Sequence, residues 1–206
     1  MTELSPASHI DFTDPERNRP GSVGPLTADT EQKIVDIESG QTEVAPGEPG
    51  ELLVRGPQVM KGYFNNPQAT AETITADGWL HTGDIVRADE DGYIWVLDRK
   101  KELIKYKAFQ VPPAELEGLL LGHPAVADAA VIGVQDEEAG EVPKAFVVIK
   151  EGQSPSAEEI MEYIAGQVAT FKQIRLVQFV DSIPKNPSGK ILRRVLIEQE
   201  RGKPVD

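Results

Sequence analysis

Asp98-Arg99-Lys100-Lys101-Glu102 divides the chain into two parts with different sequence patterns. Before this charged stretch, turn-forming residues separate short apolar segments. Residues 93–97 are the clearest strand candidate among them, because aromatic and β-branched residues favour extended structure. After the stretch, patterns typical of helices and strands alternate. The fold is therefore predicted to be α+β, with a β-rich part at residues 1–97 and a small α+β domain at 98–206.

Further elements are predicted in the first part from local patterns. Strands are expected at residues 33–37 and 51–55, where apolar and β-branched residues cluster between turn formers. A short helix is expected at residues 67–73, because a proline is tolerated in the first helical turn.

The second part is predicted to contain two helices. One helix is expected at residues 112–121, which begin with prolines. Ser156 and Glu159 form a capping-box pattern before an apolar stripe that repeats every four residues, which predicts the other helix. Strands are expected at residues 129–134, 144–150 and 175–180. The helices should cover one face of the small sheet that these strands form.

The composition argues against several classes of function. The chain has 206 residues, a formal net charge of −13 and a pI near 4.7. Sequence-independent binding of nucleic acid requires a basic face that displaces counterions, so nucleic acid is not an expected partner. No apolar run reaches the ~20 residues of a membrane span. The first residues lack the basic start and apolar core of an export signal, and a cytoplasmic location is expected.

Cysteine and histidine usage gives no indication of a metal centre. The chain contains no cysteine, which excludes disulfides and thiolate metal sites. His9, His81 and His123 lack the spacing of a helical zinc site. We expect these histidines to be structural or surface residues.

A lysine-containing loop near the C-terminus is the first chemical signal. It reads Pro184-Lys185-Asn186-Pro187-Ser188-Gly189-Lys190-Ile191-Leu192-Arg193-Arg194. A Walker-type phosphate loop needs a glycine where Pro184 stands and a hydroxyl residue where Ile191 stands. The loop therefore presents a single ammonium, Lys190. It serves either as a mobile charge for a ligand or as a solvated surface group.

Thr82-Gly83-Asp84 is the second chemical signal. A carboxylate after a tight turn can accept two hydrogen bonds from a vicinal diol, such as that of a ribose. The alternative is that Asp84 only closes a glycine-containing turn.

An ordered series of segments resembles the acyl-adenylate-forming enzymes, most closely their 4-coumarate and fatty acyl coenzyme A ligase branch. The resemblance covers essentially the whole chain. The segments that carry it are residues 1–3, 60–63, 78–84, 98–111, 113–117, 140–143 and 184–194.

The resemblance implies an ATP-dependent acid–thiol ligase. A carboxylic acid would attack the α-phosphate of ATP to form an acyl-adenylate, and the thiol of coenzyme A would then displace AMP. Lys190 matches the family lysine that contacts the α-phosphate and the attacking carboxylate, which makes it the expected catalytic residue. Fixed cations in a partly dehydrated site stabilise the negative charge that develops on oxygen. Nucleotide contacts are implied for Thr2, Asp84, Arg99, Lys105, Gln110 and Lys190, and a Mg²⁺ contact for Glu3.

Some of these assignments have simpler alternatives. Arg99 could form only a surface ion pair of marginal stability. Lys105 and Lys107 could belong to a basic surface strand. Thr2 and Glu3 lie at a terminus, where chains fray.

The resemblance also implies a rotation of the small domain about a hinge at Asp98. Rotation would withdraw Lys190 and bring in the loop at residues 105–110 for thioester formation. Lys107 and Ala108 match coenzyme A-binding positions of the thiol tunnel. The family usually has glycine where Ala108 stands. A methyl group there is expected to narrow the path of the thiol or, at a positive φ, to strain the loop by roughly 1 kcal/mol, so thioester formation should suffer more than adenylation.

One family element is absent from these 206 residues. Family members carry a Ser/Thr/Gly-rich loop, ahead of the position of Met1, that holds the triphosphate. The sequence thus resembles the C-terminal portion of a larger ligase, expected to be inactive alone and to have the N-terminal large domain as its partner. Two alternatives stay open, namely an adenylation domain that loads a carrier protein and a non-catalytic docking module. The acid substrate is not indicated.

Overall fold

The computed structural model describes residues 1–202, which form two compact units. The first unit is Met1–Lys101, and the second begins at Glu102. Both helices and strands are present, which confirms the α+β prediction. Residues 203–206 of the predicted second domain lie outside the described residues. Asp98 lies in the last strand of the first unit, and its role as a hinge stays a prediction.

The first unit is built on a four-stranded antiparallel sheet, in which each strand pairs with the next one along the chain. Its strands are β1 (Glu31–Val35), β2 (Gly50–Arg55), β3 (Leu80–Ala88) and β4 (Ile94–Arg99). The helix α1 (Pro67–Thr73) has the predicted bounds, and the Asn66 side chain caps it by accepting a hydrogen bond from Ala69 N at 3.0 Å. A 3₁₀ turn covers Thr2–Leu4.

The sheet of the first unit is buried on both faces at β2. Leu52 and Val54 pack on one side with Leu80, whereas Leu53 packs on the other with Trp79. Successive side chains of a strand point to opposite faces, so an unbroken apolar run such as 52–54 requires cover on both sides. This burial fixes the register of β3, which carries Asp84.

The second unit is built on a five-stranded sheet. Its strands are β5 (Ile104–Tyr106), β6 (Phe109–Val111), β7 (Val126–Asp136), β8 (Gly140–Ile149) and β9 (Leu176–Phe179). Its helices are α2 (Pro113–Leu121), α3 (Ala157–Ala165) and α4 (Arg193–Arg201). Among these described strands, β9 runs parallel to its neighbour β8, and the pairs β5–β6, β5–β8 and β7–β8 are antiparallel.

Helices cover both faces of this sheet, which corrects the prediction of a single covered face. Val131 of β7 packs with residues of α2 and α3, whereas its neighbours Ala130 and Ile132 pack with Leu196 of α4. The central strands are apolar on both sides and therefore need two layers of cover. The prediction missed α4 because charged residues outnumber its apolar ones.

Two segments predicted as turns or loops are strands. Residues 82–84 lie within β3, where Asp84 stands opposite Arg99 of β4. Residues 104–111 form a hairpin of β5 and β6 with a two-residue turn. Within residues 1–202, no helix combines the length and apolar character that crossing a membrane requires.

Candidate functional site

Asp84 and Arg99 form an ion pair on neighbouring strands of the first unit. Arg99 Nε lies 2.7 Å from Asp84 Oδ1, and Arg99 Nη1 donates to Thr82 O at 3.4 Å. The Asp84 side chain is 18% exposed and that of Arg99 is 45% exposed. The ion pair considered for Arg99 is thus present. It orients a carboxylate and a guanidinium at a partly open surface, where both can meet a polar ligand.

The backbone around Asp84 is set by its two predecessors. Thr82 Oγ1 donates to Leu52 O at 2.7 Å and accepts a hydrogen bond from Asp84 N at 3.1 Å. Gly83 has φ 70°, a conformation that glycine adopts without steric cost, and its carbonyl accepts a hydrogen bond from Lys100 N at 2.8 Å. Within β3, Thr82 and Gly83 thus both help to fix the backbone at Asp84, which explains the order of the three residues.

A buried carboxylate that the sequence did not single out lies on β2. Glu51 is 3% exposed, and its Oε2 lies 2.7 Å from Lys100 Nζ and 3.3 Å from His81 Nδ1. A charge at this depth needs partners of opposite sign or hydrogen bonds. One sign of this residue was present in the sequence, namely an acid at the start of the apolar strand predicted at residues 51–55. Nearby, Asp98 is also buried, and its Oδ1 accepts a hydrogen bond from Arg99 N at 2.7 Å.

Glu3 contacts other residues of the first unit. Leu4 is buried, and Met60 N donates to Glu3 O at 2.8 Å. Tyr63 Oη donates to Glu3 Oε1 at 3.1 Å. Desolvation, together with this hydrogen bond, raises the pKa of Tyr63.

In the predicted magnesium site, Glu3 would act together with ligands from a bound nucleotide. Within residues 1–202, no group of three or more metal-ligating side chains occurs. Magnesium bound to nucleotides typically takes one or two carboxylates together with phosphate oxygens and waters. Glu3 could supply one such carboxylate.

The hairpin of β5 and β6 carries four of the five predicted contacts of the second unit. Lys105 and Gln110 are register partners, and Lys107 and Ala108 form the turn between the strands. Lys105 N donates to a carboxylate oxygen of Glu141 at 2.9 Å. The two lysines and Ala108 are exposed.

Gln110 combines burial with an unmet hydrogen-bond acceptor. Its Oε1 is buried and has no hydrogen-bond partner among residues 1–202. Such an atom costs free energy unless a donor reaches it, which makes it a feature expected at a ligand contact.

The positive backbone angle of this hairpin lies at Lys107 and not at Ala108. Lys107 has φ 53°, whereas Ala108 is not among the residues with positive φ. Lys107 N donates to Ala139 O at 2.7 Å, which holds the turn in this geometry. The expectation of backbone strain at Ala108 is therefore wrong. What stays is the prediction that its methyl group narrows the thiol path.

The loop that carries Lys190 is organised by Asn186. Its Oδ1 accepts hydrogen bonds from Ser188 N, Ser188 Oγ and Lys190 N at 3.1, 2.8 and 2.9 Å. Gly189 N donates to Asn186 O at 2.9 Å, which closes a turn with Pro187 at its second position. Lys190 is exposed, and within the described part of the chain its ammonium has no hydrogen bond or ion pair.

Comparison with protein families matches both parts of the chain. Residues 1–64 match the family described as AMP-binding enzyme, and residues 115–190 match the AMP-binding enzyme C-terminal domain. The chain is 50% identical to 4-coumarate–CoA ligase 1 of Glycine max over 200 residues, which cover 95% of this chain and 68% of that protein. The chain belongs to the AMP-binding enzyme family.

Other relatives in this family are longer. Peroxisomal OPC-8:0-CoA ligase 1 of Arabidopsis thaliana is 56% identical over 198 residues, which cover 96% of this chain. The chain spans 36% of the length of that relative, and 33% of the length of 4-coumarate–CoA ligase-like 4 of Oryza sativa subsp. japonica.

Solved structures of the family share the fold of this chain. ATP-bound MatB from Rhodopseudomonas palustris superposes with a TM-score of 0.90 at 35% identity, covering 98% of this chain and 40% of that one. MenE from Bacillus subtilis, in complex with the acyl-adenylate intermediate OSB-AMP, gives a TM-score of 0.83 at 37% identity and covers 95% of this chain and 39% of that one.

Proposed function

We propose that these 206 residues supply the ribose-binding, hinge and catalytic-lysine part of an ATP-dependent acyl-CoA ligase. The observation that carries the proposal is that two site features occur together in this one chain. One is the oriented pair of Asp84 and Arg99. The other is the ammonium of Lys190, which lies on a fixed turn and has no partner among residues 1–202. The acyl-adenylate bound by the MenE neighbour supports the same chemistry.

In this proposal each side chain has a role that its geometry permits. Asp84 accepts hydrogen bonds from the two ribose hydroxyls, and Arg99 orients Asp84 through Nε. Lys190 stabilises the charge that develops at the α-phosphate and moves no proton. Glu3 helps to hold Mg²⁺, which neutralises phosphate charge.

The second unit is proposed to serve both half-reactions. Lys190 acts during adenylation. During transfer to coenzyme A, the hairpin places Lys105 and Gln110 at the nucleotide, and Lys107 and Ala108 at the thiol path. Gln110 Oε1 would gain the donor that it lacks in this structure.

Binding of ATP to the 206-residue chain is the first test. The phosphate-holding loop of the family is not among these residues, so we expect a dissociation constant weaker than about 100 μM by calorimetry, with little turnover. Tighter binding would show that the chain holds the triphosphate without that loop.

An active enzyme requires the rest of the large domain, and a fusion can supply it. The chain would replace the matched region of 4-coumarate–CoA ligase 3 of Oryza sativa subsp. japonica, which is 51% identical over 199 residues. With 4-coumarate, ATP and Mg²⁺ we expect pyrophosphate release, followed by thioester formation when coenzyme A is added. A fusion that folds and makes no acyl-adenylate would contradict the proposal.

Two substitutions in the fusion test the assigned roles. Lys190→Ala should lower the rate of adenylation by about 100- to 1000-fold, because it removes a cation at the developing charge. Asp84→Asn should raise the KM for ATP by about 10-fold or more, since hydrogen bonds to charged groups contribute about 1.5–3 kcal/mol. Glu90→Gln, an equal change of charge at an exposed residue, is the control and should change neither quantity.

The identity of the acyl acceptor is decided in the same fusion. Transfer to coenzyme A is expected. Faster transfer to a phosphopantetheinylated carrier protein, with coenzyme A as a poor competitor, would instead favour a carrier-loading adenylation domain.

A further inference from the structure

A buried ion-pair network holds the start of α4, close in sequence to Lys190. Arg193 is the first residue of this helix. Its Nη1 donates to Glu102 Oε2, and its Nη2 donates to Glu117 Oε2 at 2.6 Å. The side chains of Arg193 and Glu117 are only 13% and 10% exposed. Charges at this depth persist only when their partners are in place, so the network has a defined geometry and is not a solvated surface pair.

The network joins several elements of the second unit. Glu117 lies on α2, and its Oε1 accepts a hydrogen bond from Val131 N of β7 at 2.8 Å. Glu102 is the residue with which the second unit begins. Arg193 therefore ties α4 to α2, to β7 and to the first residue after the junction between the units.

The Lys190 loop is attached to the rest of the second unit by this network and by further contacts, among them Ile191, which packs with the buried cluster of Ile132, Phe146 and Leu196. Before the loop, Lys185 Nζ lies 2.7 Å from Asp128 Oδ2 of β7. At its base, Leu192 N donates to Pro184 O at 2.8 Å, directly before Arg193. The Lys190 ammonium has no partner of its own within residues 1–202, so its position depends on the backbone of the loop, which the Asn186 contacts and these anchors hold.

We propose that Arg193 is a positioning residue for Lys190 and acts through its contacts with Glu102 and Glu117. The inference rests on the proposed function of Lys190. A guanidinium holds two carboxylates at once because its donors form a rigid planar fork, whereas an ammonium is a point charge on a flexible stem. Misplacement of a catalytic group by about 1 Å can cost about 100-fold in rate. Arg193→Lys keeps the positive charge but removes the planar fork of donors. It therefore tests the geometry of the two contacts separately from their charge.

The neighbouring arginine provides a matched control. Arg194 is 89% exposed, and its one ion pair among residues 1–202 is with Glu198 on the same helix, at 3.1 Å. Arg194→Lys thus changes the same residue type, at the next position, outside the buried network. Glu102→Gln is a milder second variant. Glu102 is 26% exposed, and its substitution leaves the contact between Arg193 and Glu117 in place.

The first measurement uses the 206-residue chain and does not depend on activity. Amide hydrogen exchange by NMR should show at least 10-fold faster exchange at Gly189, Lys190 and Leu192 in Arg193→Lys than in Arg194→Lys. Exchange of the amides between β7 and β8 should stay within 3-fold. Glu102→Gln should give a smaller increase at the same loop amides. Equal exchange of the loop in the Arg193 and Arg194 variants would overturn the proposal.

The second measurement separates positioning from general stability. In the fusion described above, Arg193→Lys should lower the rate of adenylation at least 30-fold. Thioester formation from supplied acyl-adenylate should change less than 3-fold, because that step uses the hairpin and not Lys190. Equal loss in both half-reactions would assign Arg193 a structural role only and reject the proposal.

The two measurements also separate this inference from the proposed function. If the wild-type fusion forms no acyl-adenylate, the proposed function fails, and the exchange rates still decide whether Arg193 orders the loop. If the fusion is active and Arg193→Lys leaves adenylation unchanged, the proposed function stands and the positioning role of Arg193 is rejected.

Discussion

In the turn between β5 and β6, the residue with the strained backbone is Lys107 and not its neighbour Ala108. It adopts φ 53° in the two-residue turn between β5 and β6, a conformation that costs a residue with a side chain roughly 1 kcal/mol. Glycine enters this region freely. We therefore expect Lys107→Gly to leave the free energy of unfolding unchanged or to raise it by up to about 1 kcal/mol.

Ala108→Gly in the same turn should act with the opposite sign. Ala108 lacks a positive φ, so glycine there only increases the entropy of the unfolded chain and should cost about 0.4–1 kcal/mol. Urea unfolding followed by circular dichroism can compare the two variants. A more stable Ala108→Gly variant would contradict this assignment of the strained position. In the fusion, its smaller side chain should speed thioester formation selectively.

His9 is expected to make the stability of the first unit depend on pH. Its Nε2 donates to Gln32 Oε1 at 2.7 Å, and its Nδ1 lies 2.9 Å from Ser8 Oγ, a hydroxyl that can donate to a neutral ring. Burial lowers the pKa of His9 below its ordinary value of 6.5, although the hydrogen bond to Gln32 opposes the shift. The unfolded state therefore takes up a proton at a higher pH than the folded state does.

The sign of this effect follows from proton linkage. The contribution of His9 to stability is complete above pH 6.5 and is lost as the pH falls from there through the lower pKa of the folded state. Both tryptophans, Trp79 and Trp95, lie in the first unit, so their fluorescence can follow its unfolding by urea. Between pH 7.5 and 5.5, His9→Gln should flatten the decline of stability. Parallel curves for the two proteins would refute this role.

At the level of secondary structure, the α3 helix shows a case where local sequence is sufficient. Ser156 Oγ accepts a hydrogen bond from Glu159 N at 3.1 Å, and Glu159 Oε2 accepts one from Ser156 N at 2.8 Å. Both contacts involve residues three positions apart, so the sequence pattern alone predicted them.

Removal of this cap gives a defined stability prediction. Ser156→Ala should lower the free energy of unfolding by about 1 kcal/mol, because it leaves a helix N–H without its partner. Ser154→Ala, at an exposed position outside the helix, should change it by less than about 0.5 kcal/mol. Chemical denaturation measures both, and equal effects would show that the cap contributes nothing.

Other elements could not be predicted because their stability comes from distant partners. β3 carries Gly83 and Asp84, which locally favour a turn, yet its register with β2 and β4 keeps it extended. The helix α4 was missed because its few apolar residues gain their stability only by packing on β7 and β8. Local sequence can indicate a cap or a turn, but it does not show which distant residues will pack against a strand or a helix.

The same distinction applies to the candidate site. Asp84 and Lys190 were identified because each lies in a short segment whose residue order has a chemical meaning. The resemblance to a family supplied their joint interpretation. Glu51, Glu102 and Glu117 were not identified, since a buried carboxylate is recognised only when its distant partners, Lys100 and Arg193, are known. Side-chain roles that depend on tertiary pairing require the structure.

For the whole molecule, the second unit contains what an independently folding domain needs. Its sheet is covered on both faces by its own helices, with Ile160 and Ile164 of α3 fully buried on one side and Phe146 and Leu196 buried on the other. A unit with its own core is expected to fold alone. We expect residues 102–206 by themselves to give one cooperative transition on heating or in urea.

A core truncation shows whether that isolated unit has a well-packed interior. Ile164→Ala should lower its free energy of unfolding by about 2–5 kcal/mol, because the substitution removes buried methyl groups and leaves a cavity. The exposed Leu121→Ala is the control, at less than about 1 kcal/mol. A broad, non-cooperative transition in the isolated unit would mean that the second sheet and its helices require the first unit in order to fold. In that case the half-reaction data on Lys190 and Arg193 would have to be interpreted for the two units together.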